Sequence, residues 1–129
     1  MAIRRQGYTL VGAHALWTAP AGRQQIQTAF LASRLQAFNR DILILAGDFN
    51  STPWSFSLRR RDALFGLMRC SHALFGWSMR PYNRYKFWTP VPVMPIDHVH
   101  AGVAWKTVSV STGPKLGSDH LPINAVLTR

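Results

Sequence analysis

A chain of 129 residues, 47% of them hydrophobic, has room for one domain at most and enough apolar mass to build a real core. Fifteen lysines and arginines against five acids give a formal charge of +10, which points to a polyanionic partner such as nucleic acid or an anionic membrane surface, with a plain solubility charge as the alternative. The single cysteine, Cys70, excludes an internal disulfide and a cysteine-built metal site, and no apolar run approaches the roughly 20 residues that cross a bilayer. The opening Arg4-Arg5, the apolar stretch 8–17 and Ala19-Pro20-Ala21 imitate a secretion signal, but His14 and the polar break around it argue against one.

In chain order, residues 8–13 read as a strand that runs into His14, with β-prone Tyr8, Thr9 and Val11. After the Pro20-Ala21-Gly22 turn, residues 23–39 carry Ile26, Ala29, Phe30, Leu31, Leu35 and Phe38 at spacings that predict an amphipathic helix. The run Ile42-Leu43-Ile44-Leu45-Ala46 then reads as a strand buried on both faces, ending abruptly in Gly47-Asp48-Phe49-Asn50. Strand, helix, strand is a βαβ unit and predicts a parallel or mixed sheet, whose strand ends are where open α/β sheets bind ligands. Residues 55–66 form a second, short helix carrying Arg59-Arg60-Arg61, and residues 68–95 are irregular and aromatic. Further strands are expected at 96–101, 107–111 and 122–127.

All five acids are aspartates, Asp41, Asp48, Asp62, Asp97 and Asp119, and the chain has no glutamate. Taken singly, Gly47-Asp48-Phe49-Asn50 would suit an ordinary strand end, and Ile96-Asp97-His98 or Ser118-Asp119-His120 would suit caps or Asx turns. Together they set three aspartates and nearby histidines at strand ends of one small domain, a combination suited to metal-assisted attack on phosphorus. Phosphodiester hydrolysis needs a water deprotonated and aimed in line, with charge neutralised on the phosphoryl oxygens. Asp48 is a general-base candidate, Asn50 a hydrogen-bonding amide, and Asp119 a hard oxygen ligand suited to Mg²⁺ or Mn²⁺. A protonated His120 could hold a phosphate oxygen, with Asp97 the carboxylate that orients its ring. Arg59-Arg60-Arg61 could grip a phosphate backbone or simply be a solvated face. His98 and His100 share one strand face, where a His-x-His pair could bind zinc, but read rather as packed or solvent-facing, and Trp54, Tyr82, Tyr85 and Trp88 as base- or lipid-contacting residues or local packing.

Gly47-Asp48-Phe49-Asn50-Ser51-Thr52-Pro53, Ile96-Asp97-His98-Val99 and Gly117-Ser118-Asp119-His120-Leu121-Pro122 resemble, in order, the three C-terminal signature blocks of the endonuclease/exonuclease/phosphatase superfamily. Gly12-Ala13-His14 is similar to its Thr-His strand end, with Ala13 where threonine is usual. The resemblance implies an α/β fold, the C-terminal half of a four-layer αββα sandwich, with a mixed β-sheet and helices packed on one face. It implies a divalent-metal-dependent phosphoester hydrolase of the nuclease-like phosphodiesterase branch. Asp48 would activate water and share the metal, Asn50 would stabilise the transition state, Asp97 would pair with His120, Asp119 would contribute to the metal site, and His14 would contact the phosphate or assist the leaving group. A lipid or inositol phosphate phosphodiesterase or phosphatase on the same framework is the enzymatic alternative, and a polyanion-binding module without catalysis is the other.

The departure lies in the first half. The superfamily's N-terminal half supplies an asparagine and a metal-binding glutamate, and this chain begins at what resembles the second half. The expectation is a single partial domain over residues 1–129 whose partners are a phosphodiester substrate, the missing N-terminal half and, through an uncovered sheet face, a second copy. Pro53-Trp54-Ser55 and Trp88-Thr89-Pro90 also resemble uncharacterised bacterial members whose full-length forms often carry membrane-spanning segments.

Overall fold

Leu43–Asp48 is the strand around which everything else is arranged, as its unbroken aliphatic run requires. In the computed structural model, which describes residues 1–5, 7–17, 21–78 and 93–129, the elements in chain order are β1 (Ala2–Arg5), β2 (Tyr8–His14), α1 (Ala21–Leu35), a 3₁₀ turn (Arg40–Ile42), β3 (Leu43–Asp48), α2 (Phe56–Phe65), β4 (Met68–Arg69), β5 (Asp97–Ala101), β6 (Lys106–Thr112) and β7 (Ile123–Thr128). Five strands form one mixed sheet in the order β1-β2-β3-β5-β4, and β6 pairs with β7 in a separate two-stranded sheet. The β2–β3 pair is parallel, joined by α1 as the βαβ reading expects, and β3–β5 is antiparallel.

Register divides the sheet into two faces. Thr9, Val11 and Ala13 lie opposite Leu43, Leu45 and Gly47, which lie beside His100 and His98, and this face meets both helices. Val11, Leu43 and Leu45 there join Leu35 of α1, Leu58 and Phe65 of α2, Phe49 and Leu67 in one core. The other face carries Leu10, Ile44, Ala46, Val99 and Ala101, with residues 121–123 laid against its Ala46 and Val99 end.

Local chemistry explains the helix ends. Ser55 caps α2 by accepting from the Leu58 N–H at 3.1 Å, and Gly66 closes it in the left-handed region at φ 62°. The first helix stops at Leu35, short of the expected 39, because residues 36–38 tighten into i→i+3 bonds back to Ser33, Arg34 and Leu35. It also buries a different stripe from the one its apolar residues suggest. Gln24, Thr28 and Leu35 are buried, whereas Ile26 and Phe30 are 73% and 65% exposed.

The short strands β1 and β4 are additions to the sequence reading. Pairing supplies what their composition does not: β1 lies antiparallel to β2, and β4 caps the edge of β5. Tyr82, Tyr85, Trp88, Pro90 and Pro92 lie outside the described residues. Among the described residues no helix is long and apolar enough to cross a membrane.

Candidate active site

Pairing alone collects the first three residues. Parallel β2–β3 register sets His14 opposite Asp48, and antiparallel β3–β5 register sets Asp48 opposite Asp97, so the three side chains stand in one row across the C-terminal end of β3. His120 arrives from the segment before β7, where it bridges Trp77 and where the Leu121 N–H donates to the Gly76 carbonyl at 2.7 Å.

The distances make these four residues one cluster. His120 Nδ1 is 2.8 Å from Asp97 Oδ2, and its Nε2 lies 3.9 Å from Asp48 Oδ2, which also faces His14 Nε2 at 3.5 Å. The other Asp48 oxygen, Oδ1, accepts the Asn50 N–H at 2.7 Å, closing an Asx turn that holds Asn50 at φ 47°. Burial pushes the Asp97 carboxyl above its ordinary range; the hydrogen bond from His120 and that ring's charge pull it back, Asp48 raises it and His14 lowers it.

Asn50 is buried behind this row and not presented to solvent. Its Nδ2 donates to the Ala15 carbonyl at 2.7 Å, and its Oδ1 is buried without a hydrogen-bond partner among the described residues. With the Ala15 N–H donating to the Asp48 carbonyl at 2.7 Å, the tips of β2 and β3 are laced together. Gly47 permits this closeness: at φ 151° it lies where a Cβ would overlap the Ala13 carbonyl. Asp119 stands apart from the row, its Oδ2 accepting from the Trp77 indole N–H at 3.3 Å.

Donor chemistry is suited to a cation. Asp48, Asp97 and His120 each offer one ligand atom within 4.8 Å of the others, and two carboxylates with an imidazole fit a divalent ion that keeps further positions for water and a phosphoryl oxygen. The Asp97–His120 bond leaves His120 Nε2 and Asp48 Oδ2 as the groups facing each other.

A second, buried polar layer braces this rim, and the sequence reading missed it. Arg61 belongs to the Arg59-Arg60-Arg61 run, which reads as exposed, yet it is 2% exposed. It donates through Nη1 to the Phe49 carbonyl at 3.1 Å and through Nη2 to Ser51 Oγ. Burial lowers its pKa to about 10, so it is a cation at neutral pH. Gln24 of α1 donates to the Leu16 carbonyl at 2.6 Å, and Gln27 donates to the His14 carbonyl at 3.1 Å, tying the chain just after β2 to the helix. His98 and His100 are packed, which is one of the readings the sequence allows. His98 Nε2–H donates to the Ser51 carbonyl at 2.8 Å, and His100 pairs with Asp62 at 2.9 Å, which in turn faces Arg69 at 3.6 Å. Gln24, Thr28, Leu31 and Leu35 share a helical stripe, the one sequence signal that could have flagged Gln24 as inward-facing.

His98 gives the protein an acid-sensitive brace. Burial lowers its pKa from 6.5 to about 4. The unfolded chain therefore takes up this proton near pH 6.5 and the folded chain only near 4, so the stability is present above 6.5 and lost as pH falls toward 4. On the order of 3 kcal/mol is expected to go over that window. Asp97 acts in the opposite sense at the acid end, because its raised folded-state carboxyl holds a proton that the unfolded chain releases. Urea unfolding at pH 7 and pH 4.5 reads the net slope; equal stabilities, or the same slope in His98→Gln, would refute the assignment.

The model of the Endonuclease/Exonuclease/phosphatase family matches residues 2–120, which takes in the whole cluster. The chain belongs to this family. Among solved structures it is similar to a conserved protein of unknown function from Enterococcus faecalis V583, with a TM-score of 0.59 at 14% identity, covering 94% of this chain and 50% of that one. It is likewise similar to sphingomyelinase C from Streptomyces griseocarneus, with a TM-score of 0.55 at 23% identity, covering 96% of this chain and 55% of that one. The α/β sheet with its two helices is thus the fold of the Endonuclease/Exonuclease/phosphatase family, and the chain spans about half the length of the structures it matches. No curated protein matches it.

Proposed function

We propose that this chain is the C-terminal half of a divalent-metal-dependent phosphoester hydrolase, most closely a nuclease-like phosphodiesterase. The observation that carries the reading is the four-residue row: Asp48 with a carboxylate oxygen between two imidazoles, one of them oriented by Asp97. Asp48 takes the proton of the attacking water, His120 Nε2 holds a non-bridging phosphoryl oxygen, and His14, largely exposed at the mouth, serves the leaving group or the scissile phosphate. Asp48 and Asp97 would hold Mg²⁺ or Mn²⁺, with Asp119 as an outer contributor, which leaves His120 Nε2 for the phosphoryl oxygen; the ion would supply charge neutralisation there. Asn50 positions Asp48 through its N–H and keeps β2 tied to β3 through its Nδ2, and its buried Oδ1 has no hydrogen-bond partner among the described residues.

The glutamate ligand that the family resemblance implies would come from outside this chain, which contains none. The coverage of about half of each matched structure supports an N-terminal half as its source, and as the cover for the sheet face of Leu10, Ile44 and Ala46; a second copy is the other candidate for that face. The nuclease-like reading is supported by the +10 charge and by an aromatic wall in which Trp17 meets Trp77 edge-on at 5.5 Å and Trp77 tilts on His120 at 6.3 Å, a surface on which bases can stack. Similarity to a sphingomyelinase C supports lipid phosphodiester hydrolysis as the second reading.

The chain joined to the N-terminal half of a family member should nick plasmid DNA with Mg²⁺ or Mn²⁺ and lose the activity in EDTA. Faster hydrolysis of sphingomyelin or an inositol phosphate would move the assignment to the second reading, and salt-sensitive DNA binding without turnover would make it a binding module. In the same protein His120→Ala and Asp97→Ala should each lower turnover, and the double variant should lose clearly less than the sum of the two losses, because Asp97 acts through the ring it orients. Additive losses would separate the pair.

A further inference from the structure

The helical layer shows solvent a pattern that the strand-tip chemistry does not use. Along α1, Arg23, Ile26, Phe30 and Arg34 follow at spacings of three, four and four, so they form one stripe, and all four are exposed. On α2, Phe56, Arg59, Arg60 and Leu64 repeat the arrangement, with Phe56 73% and Leu64 50% exposed. Each stripe pairs a ring with a cation: the Arg34 guanidinium lies 6.0 Å from the Phe30 centroid and that of Arg60 lies 5.9 Å from Phe56. No acid occurs in α1, and the one carboxylate of α2, Asp62, is turned inward to His100 and Arg69.

We infer that the outer face of the α1–α2 layer is a docking surface for an anionic lipid bilayer. Four outward arginines with no outward carboxylate are complementary to acidic headgroups, each contributing to attraction at the surface. Apolar side chains decide between anionic partners. Isoleucine, phenylalanine and leucine exposed between arginines gain nothing from a phosphodiester backbone, whereas they enter the boundary of headgroups and acyl chains, as on interfacial helices. A second copy is a poor occupant, since self-pairing would oppose arginine to arginine in a chain of net charge +10. Between the helices a groove of about 430 Å³, lined in part by Gln25, Thr28, Phe56, Arg60 and Leu64, adds room for a headgroup or chain. The helices begin at the sheet end that carries Asp48, so the N-terminal end of the docked layer is the one nearest the strand-tip cluster.

Flotation of the 129-residue chain with vesicles at about 0.1 M salt tests this without reference to catalysis. Binding to vesicles of phosphatidylcholine with one quarter phosphatidylglycerol should be at least about tenfold tighter than to phosphatidylcholine alone and should weaken with salt. Arg59→Gln with Arg60→Gln should lower it by about tenfold or more. Phe30→Ser with Phe56→Ser should lower it to a similar degree, and Ile26→Ser with Leu64→Ser should repeat that loss in an independent pair, while Val108→Ser with Val126→Ser on the β6–β7 hairpin leaves it unchanged. No vesicle binding, no preference for the anionic lipid, an equal loss from the hairpin pair, or apolar variants that bind as wild type would each overturn the proposal. Arginine variants that lose duplex DNA binding while the apolar variants keep vesicle binding would assign the face to nucleic acid instead.

Discussion

Asp48→Asn, in the chain completed by an N-terminal half, is expected to lower phosphodiester turnover by roughly 10²–10⁴-fold, the span of a lost general base, with the fold retained. The separation of the two effects comes from the two carboxylate oxygens. Oδ1 accepts the Asn50 N–H at 2.7 Å, and an asparagine oxygen can do the same, so the Asx turn at the end of β3 survives. Oδ2 faces His14 and His120 at 3.5 and 3.9 Å, and there the substitution replaces an anionic acceptor by an amide N–H₂ that can neither take a proton from water nor neutralise a cation. Turnover and circular dichroism measured together check this; wild-type rates would remove Asp48 from the chemistry, and loss of fold would make it a structural residue.

Arg61→Ala should be the most destabilising change in the polar layer, at about 2–4 kcal/mol by urea unfolding. Two effects compete. Removing a buried cation relieves its desolvation, which burial has already expressed as a pKa near 10. Against that, the Phe49 carbonyl and Ser51 Oγ lose their close donors at the floor of the groove between the helices, and a cavity opens beside the Phe49 ring, 5.6 Å from the guanidinium. Losing hydrogen bonds from a charged group together with packing outweighs the relief, since no carboxylate hydrogen-bonds this arginine and its charge is already spread over neutral acceptors. Arg61→Lys should recover only part of the loss, because one ammonium cannot reach the Phe49 carbonyl and Ser51 with the planar fork's geometry. Stability within about 0.5 kcal/mol of wild type for Arg61→Ala, the range of an ordinary surface substitution, would show the contacts to be incidental.

How much of this was legible beforehand depended on whether the signal was local. The aliphatic run 42–46 with a polar break marks β3 and its polar end, and the motif contexts of Asp48 and Asp97 single out two carboxylates that the sheet register then aligns. Ser55 and Gly66 bounded α2 by cap chemistry that acts within a few residues. Non-local facts were not legible. Residues 2–5 and 68–69 become strands only because an edge is there to pair with. The inward face of α1 is set by what the loops at Leu16 and Phe49 need, hydrogen-bond donors, so Gln24 is buried where a helical wheel of apolar residues favours Ile26 and Phe30. The three arginines 59–61 are alike in sequence, and only the turn of the helix separates the buried third from the exposed first two.

The proposed hydrolase requires Asp48, Asp97 and His120 to form one cation-binding phosphoryl site at the end of β3. Titrating the isotope-labelled chain with Mn²⁺ and following paramagnetic broadening of its amide and imidazole resonances tests it most directly. Broadening should begin at Asp48, Asn50, Asp97 and His120, fail to do so in Asp48→Asn, and be weaker at the trio of His98, His100 and Asp62 on the other face of the sheet. Broadening centred on that buried trio, or spread evenly over the surface aspartates, would contradict the assignment.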